Sequence, residues 1–147
     1  MCSPPIEELQ SQLNYWGILY FSAKEITYHR RWDRNVVPQR LLWSKMEMTI
    51  QFADELRKRY GGPISVVSGY RIDEYNELVG GSPESEHKAF RALDLSVGAN
   101  NHLRLISLAT ALAQEYKEDG IEVGIGIYRR FIHVDVGAGR GNRFWTG

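Results

Sequence analysis

The chain has little cysteine, no long apolar run and no excess of either charge, and each shortage excludes a class of protein. Its single cysteine, Cys2, rules out an intrachain disulfide, so the fold does not depend on an oxidising compartment. No hydrophobic stretch approaches the roughly 20 residues that a membrane-spanning helix needs. Lysine and arginine together number 18, as do aspartate and glutamate, and this balance argues against an obligate nucleic-acid-binding protein.

The amino terminus also lacks the features of a secretion signal. Its first residues, MCSPPIEELQ, contain neither a basic region nor an apolar core. We therefore expect synthesis in the cytoplasm without a signal peptide, so that another process must deliver the protein if it works outside the cell.

The remaining composition indicates one globular domain over residues 1–147, with 43% hydrophobic residues to build a core. Residues 1–38 are expected to form an irregular lead-in that packs on it. Apolar periodicity and turn residues predict the following helices: Ile6–Leu13, Gln39–Tyr60, Asp73–Val79 and Leu103–Lys117. Short β-branched or apolar runs predict these strands: Ile64–Ser68, Ala92–Val97, Ile121–Tyr128 and Phe131–Val136. This irregular order predicts an α+β fold with a small, mainly antiparallel sheet flanked by helices.

Three polar residues stand where the local pattern would bury them. His87 lies in a polar loop directly before a predicted strand, and Asp94 lies inside the apolar strand itself. His133 and Asp135 share one face of a later strand, because side chains alternate with a period of two. A buried carboxylate is costly unless it is paired or bound to a metal.

The residues alone leave two interpretations open. Zinc takes neutral imidazole and carboxylate ligands, and a catalytic zinc keeps three of them. Alternatively, Asp94 pairs with an arginine such as Arg71 or Arg91, and the histidines are hydrogen-bonded core residues. The other two histidines, His29 and His102, have no partner pattern and are predicted to lie at the surface.

The order of several short motifs then resembles one known family. These motifs are Ser68-Gly69-Tyr70-Arg71, Val79-Gly80-Gly81-Ser82-Pro83, Ser85-x-His87-x6-Asp94, Gly124-x-Gly126-x-Tyr128 and Phe131-Ile132-His133-Val134-Asp135. Together they resemble the M15 peptidases, zinc D-Ala-D-Ala carboxypeptidases and murein endopeptidases with a Hedgehog-type fold, over about residues 20–146. The resemblance implies a zinc ion held by His87, Asp94 and His133, and cleavage of peptide bonds in bacterial peptidoglycan.

Roles for the neighbouring residues follow from this chemistry. Zinc would lower the pKa of bound water toward about 7 and polarise the scissile carbonyl, while a carboxylate takes the water proton. Asp135 is either that base or the partner that orients a ligand histidine, and we favour the second role. Arg71 either stabilises the developing oxyanion, holds a substrate carboxylate or forms a structural salt bridge. Glu86 is a less favoured base.

Two departures from the family pattern motivate an alternative function. Phe90 replaces a glycine that permits a positive φ, and Arg130 and Phe131 stand where many members carry the catalytic acid or a second histidine. The alternative is a weak or inactive structural module, for example a phage tail or baseplate part that contacts the cell wall beside other virion proteins. A third reading is a Hedgehog-like protein-interaction domain with structural zinc. Delivery at lysis or in a virion suits a phage protein.

The carboxy-terminal region contains a glycine-rich stretch, Gly137-Ala138-Gly139-Arg140-Gly141. It follows a strand without opening a helix and so does not match a phosphate-binding loop. Its arginine is predicted either to be solvated or to meet anionic wall polymers.

Overall fold

A computed structural model describes residues 3–147. It confirms the mixed α+β class. The helices are α1 (Ile6–Tyr15), α2 (Ala23–Thr27), α3 (Glu47–Tyr60), α4 (Asp73–Leu78) and α5 (His102–Glu118). The strands are β1 (Tyr28–His29), β2 (Arg34–Asn35), β3 (Ser65–Ser68), β4 (Ala92–Ser96), β5 (Val123–Ile127), β6 (Ile132–Val136) and β7 (Arg143–Thr146). No helix among these residues is long and apolar enough to cross a membrane.

The main sheet has five strands in the order β3-β4-β6-β5-β7. All neighbours are antiparallel except β5 and β7, which run parallel. A separate two-stranded ribbon joins β1 to β2. The ribbon and β7 were not expected from the sequence. β7 follows the glycine-rich stretch. Its residues are alternately half-buried and exposed, and neither face of the strand is strongly apolar, so no hydrophobic pattern predicts it.

The two faces of the main sheet differ in chemistry. One face carries buried aliphatic side chains that pack in the same core as helices α3 and α5. These side chains include Leu93, Leu95, Val123, Ile125, Ile132, Val134 and Val136. The residues between them point the other way, because strand side chains alternate. That second face therefore carries Asp94, His133 and Asp135, and alternation alone separates the functional face from the core.

The amino-terminal segment contributes to the same core. Leu9 and Leu13 of α1 are fully buried there. Ser22 and Glu25 form a capping box at the start of α2, with each side chain bonded to the other residue's backbone N–H. The helix expected over Gln39–Tyr60 is wrong in its first part, where residues 40–46 form a 3-10 segment and Trp43 Nε1 donates to the Pro38 carbonyl.

The surface positions predicted for two histidines are also wrong. His29 is fully buried. Its Nδ1 lies 2.9 Å from the Thr27 carbonyl, and its Nε2 accepts from the Ile72 N–H at 3.4 Å. His102 is half-buried, with Nε2 2.7 Å from the Tyr128 carbonyl. The His29–Ile72 and His102–Tyr128 contacts join residues 43 and 26 positions apart, so no local sequence pattern indicates them.

Candidate metal centre

Three side chains from two loop-strand units converge on one point. His87 lies in the loop before β4, Asp94 in β4 and His133 in β6, where Asp94 and His133 are directly paired across the two strands. One ligand atom from each lies within 4.8 Å of the others. Asp94 and His87 are almost fully buried. The structure thus brings together the three residues that the sequence singled out as candidate metal ligands.

The two distances from Asp94 to the histidines match the donor spacing around a tetrahedral zinc ion. The Asp94 Oδ1 atom lies 3.1 Å from His87 Nε2 and 3.2 Å from His133 Nδ1. Two donors bound at the usual zinc distances in a tetrahedron are separated by roughly 3.3 Å. Two imidazoles and a carboxylate are also ligands that zinc accepts, and three protein ligands leave a position open for water or substrate.

The second nitrogen of each histidine is held by a hydrogen-bond acceptor. His87 Nδ1 donates to the Gly69 carbonyl at 2.7 Å, and His133 Nε2 donates to Asp135 Oδ2 at 2.8 Å. A histidine ligand of a metal commonly donates its other N–H to a carbonyl or carboxylate, which fixes the tautomer and the ring orientation. Both rings therefore present the correct nitrogen to the site.

The Gly69 carbonyl can reach His87 because the absence of a side chain lets the Gly69 backbone lie close to α2. A Cβ at Gly69 would lie 2.2 Å from the Ile26 carbonyl oxygen. The same oxygen accepts a hydrogen bond from the Tyr70 N–H at 2.8 Å. The glycine of the Ser68-Gly69-Tyr70-Arg71 motif is thus required for close contact between the end of β3 and α2.

The charge states of the three residues suit a cation. Burial lowers the pKa of His87, which favours the neutral imidazole that a metal needs. Burial opposes ionisation of Asp94, but His87 and His133 outweigh it and hold the pKa of Asp94 well below its usual range. Burial also disfavours the charged ring of His133, yet hydrogen bonds to Asp135 and Asp94 raise its pKa to about 9. The raised pKa of His133 reflects the negative charge of Asp94 and Asp135, and a metal ion bound there would displace this proton, because a histidine ligand must be neutral.

Asp135 has no free oxygen for the cleft. Its Oδ2 accepts from His133, its Oδ1 accepts from Arg143 Nη2, and its side chain is almost fully buried. Burial opposes its ionisation, but the contacts with His133 and Arg143 lower the pKa of Asp135. These contacts support the orienting role over the role of general base.

Two glycines of β5 allow side chains of β7 to reach β6. β5 lies between these strands, so Arg143 and Asp135 are each paired with Gly124 rather than with one another. A Cβ at Gly124 would lie 2.4 Å from the Arg143 guanidinium. In the same way Trp145 crosses Gly126 and its ring centroid lies 5.2 Å from that of His133. Arg143 and Trp145 were not predicted as site residues, although the Gly-x-Gly spacing indicates two open positions on one strand face.

Arg71 binds the other oxygen of the candidate ligand Asp94. Its Nη2 lies 3.3 Å from Asp94 Oδ2, its Nε donates to Ser68 Oγ at 2.9 Å and its Nη1 to Asn76 Oδ1 at 3.2 Å. The pairing of Asp94 with an arginine and its place among the three donors therefore coexist, because a carboxylate has two oxygens. Arg91 pairs with Glu86 instead.

Phe90 adopts the conformation that the family's glycine would permit. Its φ is +58° and its side chain is fully buried, with the ring 5.8 Å from that of Tyr70 in an edge arrangement. The phenylalanine therefore fills the core beneath the turn and leaves the cleft open. Its left-handed backbone costs roughly 1–2 kcal/mol relative to glycine, which burial of the ring offsets.

The three candidate ligands lie in a cleft of about 400 Å³, a size that small-molecule and peptide sites commonly have. The cleft is bordered by two loops and by aromatic side chains, and its lining includes the following: Gly80, Gly81, Ser82, Glu84, Glu86, Tyr128, Phe131, Arg140 and Trp145. Tyr128 stacks on Phe131 with ring centroids 4.6 Å apart. These stacked rings form a flat apolar wall beside the polar floor.

An α+β domain with a buried His-Asp-His group in a cleft defines a metallopeptidase-like protein. Residues 19–135 match the model of the family described as Peptidase M15. The match spans most of the sequence, so the chain belongs to the Peptidase M15 family. A comparison with curated proteins found no match.

Proposed function

We propose that the protein is a zinc-dependent peptidase that cleaves peptide bonds of bacterial peptidoglycan. The observation that carries this proposal is the group of three donor atoms within 4.8 Å of one another, at the floor of a cleft. Membership of the Peptidase M15 family supports the reaction class and a substrate of peptidoglycan type. The choice of zinc rests on the donor set and its near-tetrahedral spacing.

The ligand residues would hold the ion through His87 Nε2, Asp94 Oδ1 and His133 Nδ1. When bound, zinc supplies Lewis acidity that activates water and polarises a carbonyl. Gly69 and Asp135 keep the two imidazole rings oriented through their outer nitrogens. The burial of these groups limits competing water around the charges and so strengthens their interactions.

Peptide hydrolysis also needs a group that accepts a proton, and Glu84 is our candidate. Four carboxylates line the cleft: Glu84, Glu86, Asp94 and Asp135. Both oxygens of Asp94, Asp135 and Glu86 are engaged by histidine or arginine. Of these four carboxylates, only that of the exposed Glu84 has no side-chain partner among residues 3–147. It is free to bond water and to pass a proton to the leaving amine.

Arg71 is suited to the negative charge that develops on the scissile carbonyl oxygen. Ser68, Asn76 and Asp94 hold its guanidinium in place beside the candidate ligands. Pre-oriented donors of this kind stabilise the transition state more than the ground state, because they need not reorganise. We propose this role for Arg71 in the peptidase.

A second candidate function is a wall-binding module that holds the metal without turnover, such as a virion component. It is favoured by one observation: every buried carboxylate of the cleft is already engaged, and the remaining one, Glu84, lies at the exposed surface. If Glu84 is too mobile to act as a base, the metal centre would serve binding alone.

Metal analysis combined with digestion of muropeptides separates the two candidates. The purified protein, His87→Ala, Glu84→Gln and the control His102→Ala would be loaded with zinc, dialysed and analysed for metal. We expect stoichiometric zinc in all except His87→Ala. Digestion products would be identified by chromatography and mass spectrometry, with hydrolysis lost in His87→Ala and strongly reduced in Glu84→Gln. Zinc without hydrolysis supports the binding module, and absence of zinc contradicts both candidates.

A further inference from the structure

One carboxylate in the wall of the cleft is shared by two arginines. Glu86 Oε1 lies 2.7 Å from Arg91 Nη1, and Glu86 Oε2 lies 3.3 Å from Arg140 Nε. The Glu86 side chain is 8% exposed, that of Arg91 19% and that of Arg140 44%. A single negative charge cannot neutralise two guanidinium groups, so a positive charge remains. Arg140 lines the cleft, makes the longer contact and is the more exposed, which places that charge at the substrate side.

The loop around Arg140 holds this side chain across the cleft wall. Gly137, Gly139 and Gly141 all have φ between +75° and +77°, a conformation that glycine adopts without strain. The loop is tied down at both ends, because the N–H groups of Gly137 and Gly141 donate to the backbone carbonyl and the carboxylate of Glu122, each at 2.9 Å.

From this base Arg140 reaches the facing loop. Its Nη2 donates to the Glu84 carbonyl at 3.1 Å, and its Nε forms an ion pair with Glu86 Oε2 at 3.3 Å. These contacts use one edge of the guanidinium, and the Nη1 group has no partner among residues 3–147. A guanidinium held in place with free N–H groups is well suited to bind a carboxylate through charge-assisted hydrogen bonds.

We propose that Arg140 binds a free carboxylate of the substrate peptide and thereby determines specificity for acidic stem peptides. The inference rests on the proposed function, because it assigns the ligand of the same cleft. It predicts that the protein distinguishes a peptide with a carboxylate from the same peptide with a carboxamide. A charge-assisted hydrogen bond of this kind corresponds to about a tenfold or larger difference in affinity.

The test compares matched peptides and two readouts. A synthetic peptidoglycan stem peptide and variants with one carboxylate at a time converted to a carboxamide would be titrated into the zinc-loaded protein by calorimetry, and hydrolysis would be measured separately. The variants are Arg140→Ala and Arg140→Lys, and the control is Arg129→Ala, which removes an exposed arginine from the turn between β5 and β6. We expect wild type and Arg129→Ala to prefer one carboxylate about tenfold, and Arg140→Ala to lose that preference.

The two readouts separate this inference from the proposed function. A carboxylate preference in binding that vanishes in Arg140→Ala supports the inference even if no peptide is hydrolysed. The absence of hydrolysis would contradict only the proposed peptidase activity. Equal binding of all peptides to wild type, or no binding at all, overturns it. Equal weakening of every peptide in Arg140→Ala also overturns it, because Arg140 would then only join the two loops. If Arg140→Ala does not fold, Arg140→Lys provides the test. The lysine ammonium group cannot form the paired hydrogen bonds of a guanidinium, so the preference for the carboxylate should be reduced.

Discussion

At the scale of single residues, Phe90 combines an unfavourable backbone with a favourable side chain. Its φ of +58° disfavours any residue with a Cβ, whereas its ring is fully buried. Phe90→Ala should lose about 3–5 kcal/mol of unfolding free energy through the cavity. Phe90→Gly should lose about 1 kcal/mol less than Phe90→Ala, because glycine relieves the left-handed strain. Chemical denaturation of both variants measures the difference.

Phe52 provides the matched control for Phe90. It is equally buried but lies in α3, where glycine is less favourable than alanine by about 1 kcal/mol. The order of stability should therefore reverse, with Phe52→Gly below Phe52→Ala. The same order at both positions would show that the backbone at Phe90 is not strained.

We propose that Asp135 acts on a bound metal ion by orienting His133, and that it does not contact the substrate. Asp135→Asn should weaken zinc affinity by about 10- to 100-fold, because a carboxylate that orients a ligand histidine also strengthens its donor nitrogen. Competition with a chromophoric chelator measures the affinity. The exposed Asp119→Asn is the control. An unchanged affinity in Asp135→Asn would contradict this orienting role.

At the scale of secondary-structure elements, Thr49 joins helix α3 to the sheet. Its hydroxyl donates to the Arg91 carbonyl at 2.6 Å, just before β4, and accepts from the Val136 N–H at 3.0 Å, at the end of β6. Thr49 is fully buried. One side chain thus connects the helix to the two strands that carry Asp94 and His133.

Thr49→Val keeps the shape of the side chain but removes the hydroxyl from the buried Val136 N–H and the part-buried Arg91 carbonyl. We expect a loss of about 2–3 kcal/mol, since each unsatisfied buried group costs about 1–3 kcal/mol. Thr110→Val is the control, because its hydroxyl bonds within α5 at an exposed position, and its effect should stay within about 0.5 kcal/mol. Similar losses in both variants, measured by denaturation, would contradict this role for Thr49.

At the scale of the whole molecule, His29 makes stability sensitive to acid. Burial is the largest influence on its pKa and lowers it. The unfolded chain then binds a proton near the ordinary histidine pKa of about 6.5 while the folded protein does not. Stability is therefore fully present above that pKa and falls as the pH drops below it. Protonation would also break the bond that Nε2 accepts from Ile72.

The variant His29→Gln tests this acid sensitivity. Denaturation of the chelator-treated protein from about pH 7 to pH 5 should show a loss of up to about 1.4 kcal/mol per pH unit from this group in wild type. His29→Gln should be less stable at neutral pH but less dependent on pH. Because both proteins retain His87, His102 and His133, the difference between their slopes isolates His29. Parallel curves would show that His29 does not contribute.

Much of the fold and of the candidate centre follows from local sequence patterns. Alternation in β4 and β6 separates Leu93, Val134 and their neighbours from Asp94 and His133, because a strand has only two faces. The periodicity of α5 likewise predicts a helix with one buried side. Buried polar residues in apolar strands mark the candidate site, since such groups are otherwise costly, but the choice between metal ligands and paired core residues came from the resemblance to the M15 peptidases.

The tertiary structure decided what depends on contacts between distant segments. Whether Asp135 is a base or an orienting group was open, and the approach of Arg143 over Gly124 occupies its second oxygen. The burial of His29 and the position of Arg140 beside Glu86 likewise join residues from separate elements. Periodicity is a property of neighbouring residues and so is determined by the sequence directly. The partners of a charged side chain depend on how elements pack, and these partners only the folded chain reveals.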